Sequence, residues 1–246
     1  MLSIIIPAYN EEKNICATVS KLLKDMEKIE RDFEIIVVSD GSNDNTCNRA
    51  KSLKNQHLKV FEYQPNKGKG YALTYGVKKS NGEIVTFLDA GGDFDTQHID
   101  KFIKLMEVFD ADIVIGSKRH PASKINYPAK RRFYSYLYHV MIRILFNLNI
   151  KDTQTGLKVF KREVLEKILP RALVKQYAFD LELLVIAKCL GYNRIFEAPV
   201  NMSFNFNGTG INSKTIFYML KDTMAIFYRR YILKYYNKPH ILVNKR

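Results

Sequence analysis

Short apolar runs alternate with helical patterns over the first half of the chain, and this alternation constrains the fold more than any other feature. It is typical of βαβ units, whose strands form one largely parallel sheet flanked by helices. The spacing of apolar residues predicts strands over 2–7, 33–39, 59–63, 84–88 and 112–116, and helices over 12–29, 44–53, 71–80 and 97–109. The sequence therefore predicts an α/β fold with a mostly parallel central sheet.

The regular alternation ends after Gly116. Beyond it we expect a basic loop over 118–130, an aromatic and basic helix over 131–148, a polar turn over 152–158, an apolar helix over 178–190, a strand over 195–204 and an amphipathic helix over 216–236. A chain of 246 residues without internal repeats or a linker suits a single domain.

The positive charge is concentrated in the second half of the chain. Residues 118–162 contain 11 Lys and Arg against one acidic residue, and residues 201–246 contain 8 against one, within a formal net charge of +14. This asymmetry predicts an anionic partner on one side of the molecule, for which phosphate, an anionic membrane and nucleic acid are the alternatives.

Cysteine usage and hydropathy exclude several classes of protein. Cys16, Cys47 and Cys189 are odd in number and form no CxxC pair, which argues against a disulfide framework or a zinc knuckle and favours a cytoplasmic setting. The chain starts on a strand-like run, and it contains no stretch of about 18 apolar residues. We therefore expect neither a signal peptide nor a membrane-spanning helix.

Two of the predicted helices, 131–148 and 216–236, combine basic and aromatic side chains with many apolar ones. Helices of this kind can lie in the headgroup region of a membrane without spanning it. The alternative is that these apolar side chains belong to the core. We expect peripheral attachment to the cytoplasmic face of a membrane through these helices.

Three polar loops follow predicted strands, at the edge where open α/β sheets bind ligands. A carboxylate such as Asp40 can accept a hydrogen bond from a nucleotide base or a ribose hydroxyl, and Gly41 lets a ligand approach the backbone. The alternative for this loop is a turn whose aspartate caps the next helix. The three loops are Pro7-Ala8-Tyr9-Asn10-Glu11, Asp40-Gly41-Ser42 and Asp89-Ala90-Gly91.

A fourth loop combines two cations with glycines directly before a predicted helix. Free N–H groups at a helix start favour anions, so the loop suits a diphosphate. It has neither the spacing of a P-loop nor the third glycine of the dinucleotide fingerprint, and a solvent-exposed turn is the alternative. The loop is Asn66-Lys67-Gly68-Lys69-Gly70.

Three aspartates, Asp89, Asp93 and Asp95, follow the fourth predicted strand in close succession. Such carboxylates repel one another unless they are solvated or share a cation. Mg²⁺ or Mn²⁺ bound by one or two carboxylates and bridging a diphosphate would resolve this repulsion. A capped loop without metal is the alternative.

Basic side chains of the second half form a candidate phosphate site. Arg131 and Ser135 are four residues apart on a predicted helix, so they share one face and can bind a phosphate together. Lys118, Arg119 and Lys158 add cations from two loops, and the arginine fork matches phosphate oxygens in a bidentate way. The alternative is a solvated basic surface.

The segments PAYNEE, VVSDGSNDNT, NKGKGYAL and FLDA, at their present spacing, resemble the family 2 glycosyltransferases of the GT-A fold. Three later segments, GSKRH at 116–120, IKDTQTGLKVF at 150–160 and AFDLELL at 178–184, resemble the branch that transfers glucose or mannose to dolichyl phosphate. The resemblance extends from about residue 3 to residue 204. It implies a donor-binding half over 1–117, an acceptor-binding half over 118–210 and an interfacial helical region over 211–246.

The resemblance implies transfer of a hexose from a nucleotide sugar, with UDP-glucose favoured over GDP-mannose, to dolichyl or another polyprenyl phosphate. Asp89 would bind the metal, but Gly91 stands where the family's DxD motif has its second aspartate. We therefore expect Asp93 as the second metal ligand, with Asp95 in reserve. The resemblance assigns the base and ribose to Pro7, Tyr9, Glu11 and Asp40, and the phosphates to Lys67 and Lys69.

A phosphate acceptor simplifies the expected chemistry. Its oxygen is anionic at neutral pH, so it can displace the nucleoside diphosphate in one inverting step, with Asp89, Arg131 and Lys118 as the expected catalytic residues. A saccharide hydroxyl would instead need a carboxylate base, for which Asp180 and Glu182 are candidates. With a phosphate acceptor, these two carboxylates would orient a lysine or arginine. A nucleic-acid-binding module is the third interpretation, and it leaves the acidic loop unexplained.

Overall fold

A seven-stranded, mostly parallel sheet forms the centre of the protein. The computed structural model describes residues 1–92, 95–125, 129–202 and 213–238, with the side chains of all of these except 129–131 and 213. The strands are β1 (Leu2–Ala8), β2 (Phe33–Asp40), β3 (Leu58–Tyr63), β4 (Ile84–Phe87), β5 (Ile113–Ser117), β6 (Lys124–Ile125), β7 (Lys158–Lys161), β8 (Ile195–Pro199) and β9 (Asn201–Met202). The central sheet has the order β3-β2-β1-β4-β7-β5-β8, and β6 pairs separately with β9.

Helices cover both faces of the central sheet. They are α1 (Ile15–Met26), α2 (Thr46–Lys51), α3 (Lys69–Lys79), α4 (His98–Val108), α5 (Ala129–Phe146), α6 (Arg162–Ile168), α7 (Phe179–Cys189) and α8 (Ser213–Phe227). A π-helical turn (Tyr228–Ile232) and a short 3-10 helix (Tyr235–Asn237) follow α8. No helix within these described ranges has both the length and the apolar character needed to cross a membrane.

The side-chain alternation of β1 explains the two core layers. Ile4 and Ile6 point to the layer that contains α1 and α4, whereas Ile5 points to the layer that contains α3 and α7. Both faces of this strand are therefore buried, which is why its sequence is almost continuously apolar. The predicted α/β fold with a mostly parallel sheet is confirmed.

The structure differs from the sequence-based expectation between residues 158 and 168. The predicted polar turn ends at Lys158, where the chain enters β7, which is antiparallel to both β4 and β5. Lysines occupy both ends of this strand, so only Val159 and Phe160 give an apolar pattern. Helix α6 follows directly and was not predicted.

The C-terminal elements are also shorter than expected. The strand expected over 195–204 is divided into β8 and the two-residue β9, and residues 203–204 lie outside the described part of the chain. The helix expected over 216–236 is α-helical only as far as Phe227. The functional division at residues 117 and 210 stays a prediction.

The topology places several loops at one edge of the sheet. The parallel strands β1, β2 and β4 end there. Because β7 runs in the opposite direction, it starts at the same edge, with Lys158 beside Phe87 of β4 and Ile115 of β5. The residues that precede β7 therefore join the loops that follow the parallel strands.

Candidate active site

A cavity of about 690 Å³ opens at this edge of the sheet. Eight of the residues predicted to bind the nucleotide sugar line it, so the structure brings most of the predicted site together. The predicted residues are Pro7, Tyr9, Glu11, Asp40, Gly68, Lys69, Asp89 and Ala90, and the others are Ala8, Asn66, Gly91, Gln154, Gln176, Tyr177 and Asp180. We call this space the donor cavity.

Asp40 fixes the shape of one wall of the donor cavity. Its Oδ1 accepts hydrogen bonds from the Tyr63 hydroxyl and the Lys67 backbone N–H, each at 2.7 Å, and its Oδ2 accepts one from the Gly68 N–H at 2.9 Å. Burial, together with the nearby Asp40 carboxylate, raises the pKa of Tyr63, so this hydroxyl remains a donor. The carboxylate thus holds the loop that begins at Asn66 against the end of β2.

Three further predicted residues do not line the donor cavity but support its loops. The side-chain oxygen of Asn10 accepts the backbone N–H of Asn43 at 2.9 Å. Gly41 has a φ of +63°, and a Cβ there would lie 2.2 Å from the backbone nitrogen of Asn66, so only glycine fits without displacement. The ammonium of Lys67 lies 4.7 Å from the centroid of the Tyr71 ring.

A network of alternating charges lies at the base of the donor cavity. Lys69 Nζ is 2.8 Å from Asp89 Oδ1 and 3.2 Å from Asp180 Oδ2. The other oxygen of Asp180 is 2.6 Å from Nζ of Lys158, whose side chain is fully buried. Lys158 also donates to the backbone carbonyl of Thr155. The positive charges of the two lysines therefore balance the negative charges of the two aspartates.

The network determines the ionisation of its members. Burial alone would raise the pKa of Asp180, but the ammonium groups of Lys158 and Lys69 outweigh it and lower that pKa to about 2. Burial likewise opposes the charge of Lys69, but the carboxylates of Asp180 and Asp89 raise its pKa above the usual range. Asp180 is therefore a carboxylate at neutral pH.

The structure contradicts the prediction that Lys158 contacts an acceptor phosphate. Its side chain has no exposed surface, and its ammonium is already bound by Asp180. Asp180 contacts the ammonium groups of both Lys69 and Lys158, as expected of a carboxylate that orients lysines. Whether it acts as a base is not tested by this geometry and stays a prediction.

Glu182 does not line the donor cavity. It accepts hydrogen bonds from the backbone N–H groups of Leu173 and Val174 at 2.8 and 2.7 Å, and from the Tyr236 hydroxyl at 2.6 Å. Arg229 Nη2 lies 3.2 Å from it. These contacts connect α7 to the C-terminal 3-10 helix, so the carboxylate serves packing and not proton transfer at the donor cavity.

Asp89 is the described residue best placed to bind a metal ion. Its side chain is 42% exposed at the cavity wall. No cluster of three or more His, Cys, Asp or Glu in the described part of the chain is arranged to hold a metal ion by itself. Mg²⁺ is commonly held by one or two carboxylates together with substrate phosphates, and Asp89 fits that mode. Asp93 lies outside the described residues, and Asp95, the reserve, has Oδ1 3.6 Å from Lys21 Nζ.

Because Gly156 has no side chain, the Asp89 carboxylate can occupy the space beside it. A Cβ at position 156 would lie 1.8 Å from Asp89 Oδ2. Gly156→Ala is therefore expected to displace this carboxylate and to weaken metal binding and activity at least tenfold, because a misplacement of about 1 Å in a catalytic group has effects of that order or larger. Manganese titration and steady-state kinetics measure the two losses.

Gly191→Ala is the matched control for this substitution. Gly191 has a φ of +87°, and no atom lies within 4 Å of the place that a Cβ would take, so alanine there should cost about 1 kcal/mol of stability without a change in kinetics. Unchanged metal affinity in the Gly156 variant would show that the carboxylate at 89 moves freely and that its position is not critical.

A second cavity of about 400 Å³ lies between α5 and α8. We call it the acceptor cavity. Predicted phosphate ligands Lys118 and Ser135 line it, and Arg119 Nη2 donates to Ser135 Oγ at 3.0 Å. The side chain of Arg131 lies outside the described residues. The remaining lining residues are Tyr134, Leu137, Tyr138, Met141, Gln154, Ile216, Met219 and Leu220.

Sequence reasoning missed several residues of the two cavities. Gln154 lies in a segment that was assigned to a turn, and its place between the cavities depends on the antiparallel direction of β7. Gln176 and Tyr177 come from the loop before α7, which has no local motif. Ala8, Asn66 and Gly91 did have a signal, because they belong to loops that the sequence already placed at this edge of the sheet.

Solved structures with the same architecture are glycosyltransferases of the GT-A fold. A mannosyl-3-phosphoglycerate synthase from Rubrobacter xylanophilus matches with a TM-score of 0.74 and 17% identity, over 100% of this chain and 78% of that one. A glucosyl-3-phosphoglycerate synthase from Mycobacterium tuberculosis, solved with Mn²⁺, UDP-glucose and phosphoglyceric acid, matches with a TM-score of 0.71 and 19% identity, over 98% and 81% of the two chains. These likenesses show that the chain has the GT-A fold.

Sequence comparison specifies the family. The model of glycosyl transferase family 2 matches residues 3–169. A dolichyl-phosphate beta-glucosyltransferase from Trichomonas vaginalis is 33% identical over 92% of this chain and 71% of its own length, and one from Dictyostelium discoideum is 32% identical over 93% and 74%. The chain belongs to glycosyl transferase family 2, and the resemblance seen in its motifs is confirmed.

Proposed function

We propose that this enzyme transfers glucose from UDP-glucose to the phosphate of dolichol or another polyprenol, with inversion at the anomeric carbon. The observation that carries the proposal is the adjacency of two different cavities. The donor cavity contains the predicted nucleotide-sugar residues, and the acceptor cavity is largely apolar with Lys118 and Ser135 in its wall. A phosphate on an apolar chain is the acceptor that matches such a wall.

The names of the relatives support the choice of sugar and acceptor. Both relatives reported above are dolichyl-phosphate beta-glucosyltransferases, and the Mycobacterium neighbour was solved with UDP-glucose. GDP-mannose is the second candidate donor, because a few hydroxyl contacts decide sugar identity.

The proposed reaction is a single displacement. An oxygen of the acceptor phosphate forms a bond to the anomeric carbon while the bond from that carbon to the diphosphate oxygen breaks, and the electron pair leaves with the nucleoside diphosphate. No proton moves, because the attacking oxygen is already anionic, and attack opposite the leaving group inverts the anomeric configuration.

Positive charge around the diphosphate stabilises the departing group. Lys69 lies in the donor cavity and is held in its charged form by Asp89 and Asp180. Asp89, with Asp93, is the proposed ligand of Mg²⁺ or Mn²⁺, which when bound supplies further positive charge to the diphosphate. Lys118, Arg119, Ser135 and Arg131 are the proposed ligands of the acceptor phosphate.

Helices α5 and α8 support a membrane-facing surface beside the acceptor cavity. Ile144 of α5 is 76% exposed and Phe217 of α8 is 65% exposed. Basic side chains such as Arg143 and Lys221 lie on the same helices. We propose that this surface lies on the cytoplasmic face of a membrane, where anionic lipids attract basic segments.

The two alternatives fit the structure less well. A saccharide hydroxyl acceptor needs a base, yet Asp180 is paired with two lysines and Glu182 lies away from the donor cavity. Membership of a glycosyltransferase family explains the acidic loop that a nucleic-acid-binding module left unexplained.

A panel of labelled nucleotide sugars tests the proposal. The enzyme is incubated with polyprenyl phosphate in vesicles that contain anionic lipid, with Mg²⁺, Mn²⁺ or a chelator. We expect label in the organic phase from UDP-glucose, more than from GDP-mannose, in the presence of metal, and a β-linked product by NMR. Label that enters only water-soluble saccharides would overturn the proposal in favour of a hydroxyl acceptor.

A further inference from the structure

Gln154 stands between the two cavities. Among the described residues, it is the one that lines both the donor cavity and the acceptor cavity. On the donor side its neighbours in the cavity wall include Asp89 and Asp180, and on the acceptor side they include Lys118 and Ser135. Any group that passes from one substrate to the other must therefore pass close to this side chain.

The backbone on both sides of Gln154 is firmly held. Its N–H donates to Asp152 Oδ1 at 3.1 Å, and the other oxygen of Asp152 accepts the backbone N–H of Lys118 at 3.0 Å. Asp152 is in turn bound through its own N–H to Glu197. On the other side, Gly156 packs directly against Asp89. These contacts hold the backbone at Gln154 beside both cavities.

The amide nitrogen of Gln154 is a buried donor without a described acceptor. Nε2 has no solvent contact, and no described residue accepts a hydrogen bond from it. Buried polar groups in folded proteins almost always have a partner, and a group that lacks one calls for an explanation such as a bound water, an ion or a catalytic role. Two substrates of the proposed reaction would occupy these cavities, the sugar nucleotide and the acceptor.

The chemistry of the walls favours the acceptor. On the donor side, Asp89 and Asp180 pair with Lys69, and neither carboxylate accepts a hydrogen bond from Gln154 Nε2. The acceptor side presents the hydroxyl of Ser135 and the ammonium of Lys118, which lies 3.6 Å from Asp152 Oδ2, and both groups are donors suited to a phosphate. A third donor at the junction would complete such a site at the end nearest to the sugar.

We propose that the Gln154 amide turns toward the acceptor cavity when the acceptor binds, so that Nε2 donates a hydrogen bond to a non-bridging oxygen of the acceptor phosphate and directs another oxygen of that phosphate at the anomeric carbon. This inference rests on the proposed function. A neutral amide orients the phosphate without adding a cation beside the attacking oxygen. The contact supplies positioning, which lowers the barrier to displacement.

Two substitutions test the inference. Gln154→Ala removes the donor and should lower kcat/KM for polyprenyl phosphate by about 10- to 100-fold, the usual effect of a hydrogen bond to a charged group. Gln154→Glu should cost more at pH 7.5, because a carboxylate repels the phosphate. The difference in kcat/KM between the glutamate and alanine variants should shrink as the pH is lowered, because the new carboxyl then gains a proton that it can donate. The Kd for UDP, measured by calorimetry, should not change in either variant.

Gln56 provides the matched control, because it is exposed and lies before β3, at the opposite edge of the sheet. Gln56→Ala and Gln56→Glu should behave as the unmodified enzyme. Equal loss of activity in both Gln154 variants at every pH would contradict the proposed contact to the acceptor phosphate. Weaker UDP binding with an unchanged KM for the acceptor would contradict it as well. An unmodified enzyme that glycosylates no polyprenyl phosphate would instead contradict the proposed function itself.

Discussion

Replacement of Asp89 by asparagine is expected to lower kcat for glycosyl transfer by about 10³-fold while the protein remains folded. The carboxylate lies at the wall of the donor cavity, with Oδ1 held by Lys69. Loss of its charge weakens metal binding, and a catalytic metal contributes several kcal/mol to transition-state stabilisation, which corresponds to a loss of this size. Steady-state kinetics at increasing Mn²⁺ concentration measure the effect.

Asp100→Asn is the matched control for this prediction. Asp100 is an aspartate of α4 whose partner is Lys104, 2.7 Å away on the same helix, so its loss should leave kcat unchanged. Thermal melting of both variants separates loss of activity from loss of fold. An Asp89 variant with normal kcat in the presence of a chelator would show that the reaction proceeds without a metal at this carboxylate.

Replacement of Lys158 by methionine is expected to destabilise the protein by about 1–3 kcal/mol, because it removes one of the two ammonium groups that pair with the buried Asp180 carboxylate. Asp180 would then retain Lys69, which is 3.2 Å from its Oδ2. Urea unfolding at neutral pH measures the change. Lys161→Met, on the same strand, removes a pair with the exposed Asp110 and should cost far less stability, because solvent screens such a pair.

The same pair predicts a pH dependence. The pKa of Asp180 in the folded protein is about 2, below its ordinary value of 3.8. Its contribution to the free energy of unfolding is therefore fully present above pH 4 and is lost as the pH falls towards 2. In the Lys158→Met variant the pKa should rise, so less stability should be lost over this range. An unchanged acid-unfolding profile would contradict the assignment.

The sequence was sufficient to predict the first five strands and most of the donor cavity. The run over 35–38 is continuously apolar because both faces of a parallel sheet are buried. Once these strands are assigned, their carboxyl ends must lie together. Asp40 and Asp89 can therefore be predicted to share a cavity without any knowledge of tertiary contacts, and they do.

The charged residues of the second half were harder to interpret. Lys158 was expected to face a ligand, but its partner Asp180 lies 22 residues further along the chain. Glu182 pairs with Arg229 in the same way. A charged residue in a loop and one in a buried pair have the same local sequence signal, because the partner is brought near only by the fold. The proposed role of Gln154 has no local signal either, because only the fold brings together the two cavities that it lines.

Strand β7 lies between the two cavities. It is hydrogen-bonded on one side to β4, which precedes the loop of Asp89, and on the other to β5, which leads to the predicted acceptor half. A shift of this strand would disrupt two ladders at once, so the sheet itself holds the boundary between the cavities in place. Under the proposed function, substitutions in α5 and α8 would therefore alter lipid preference without disturbing the selection of the nucleotide.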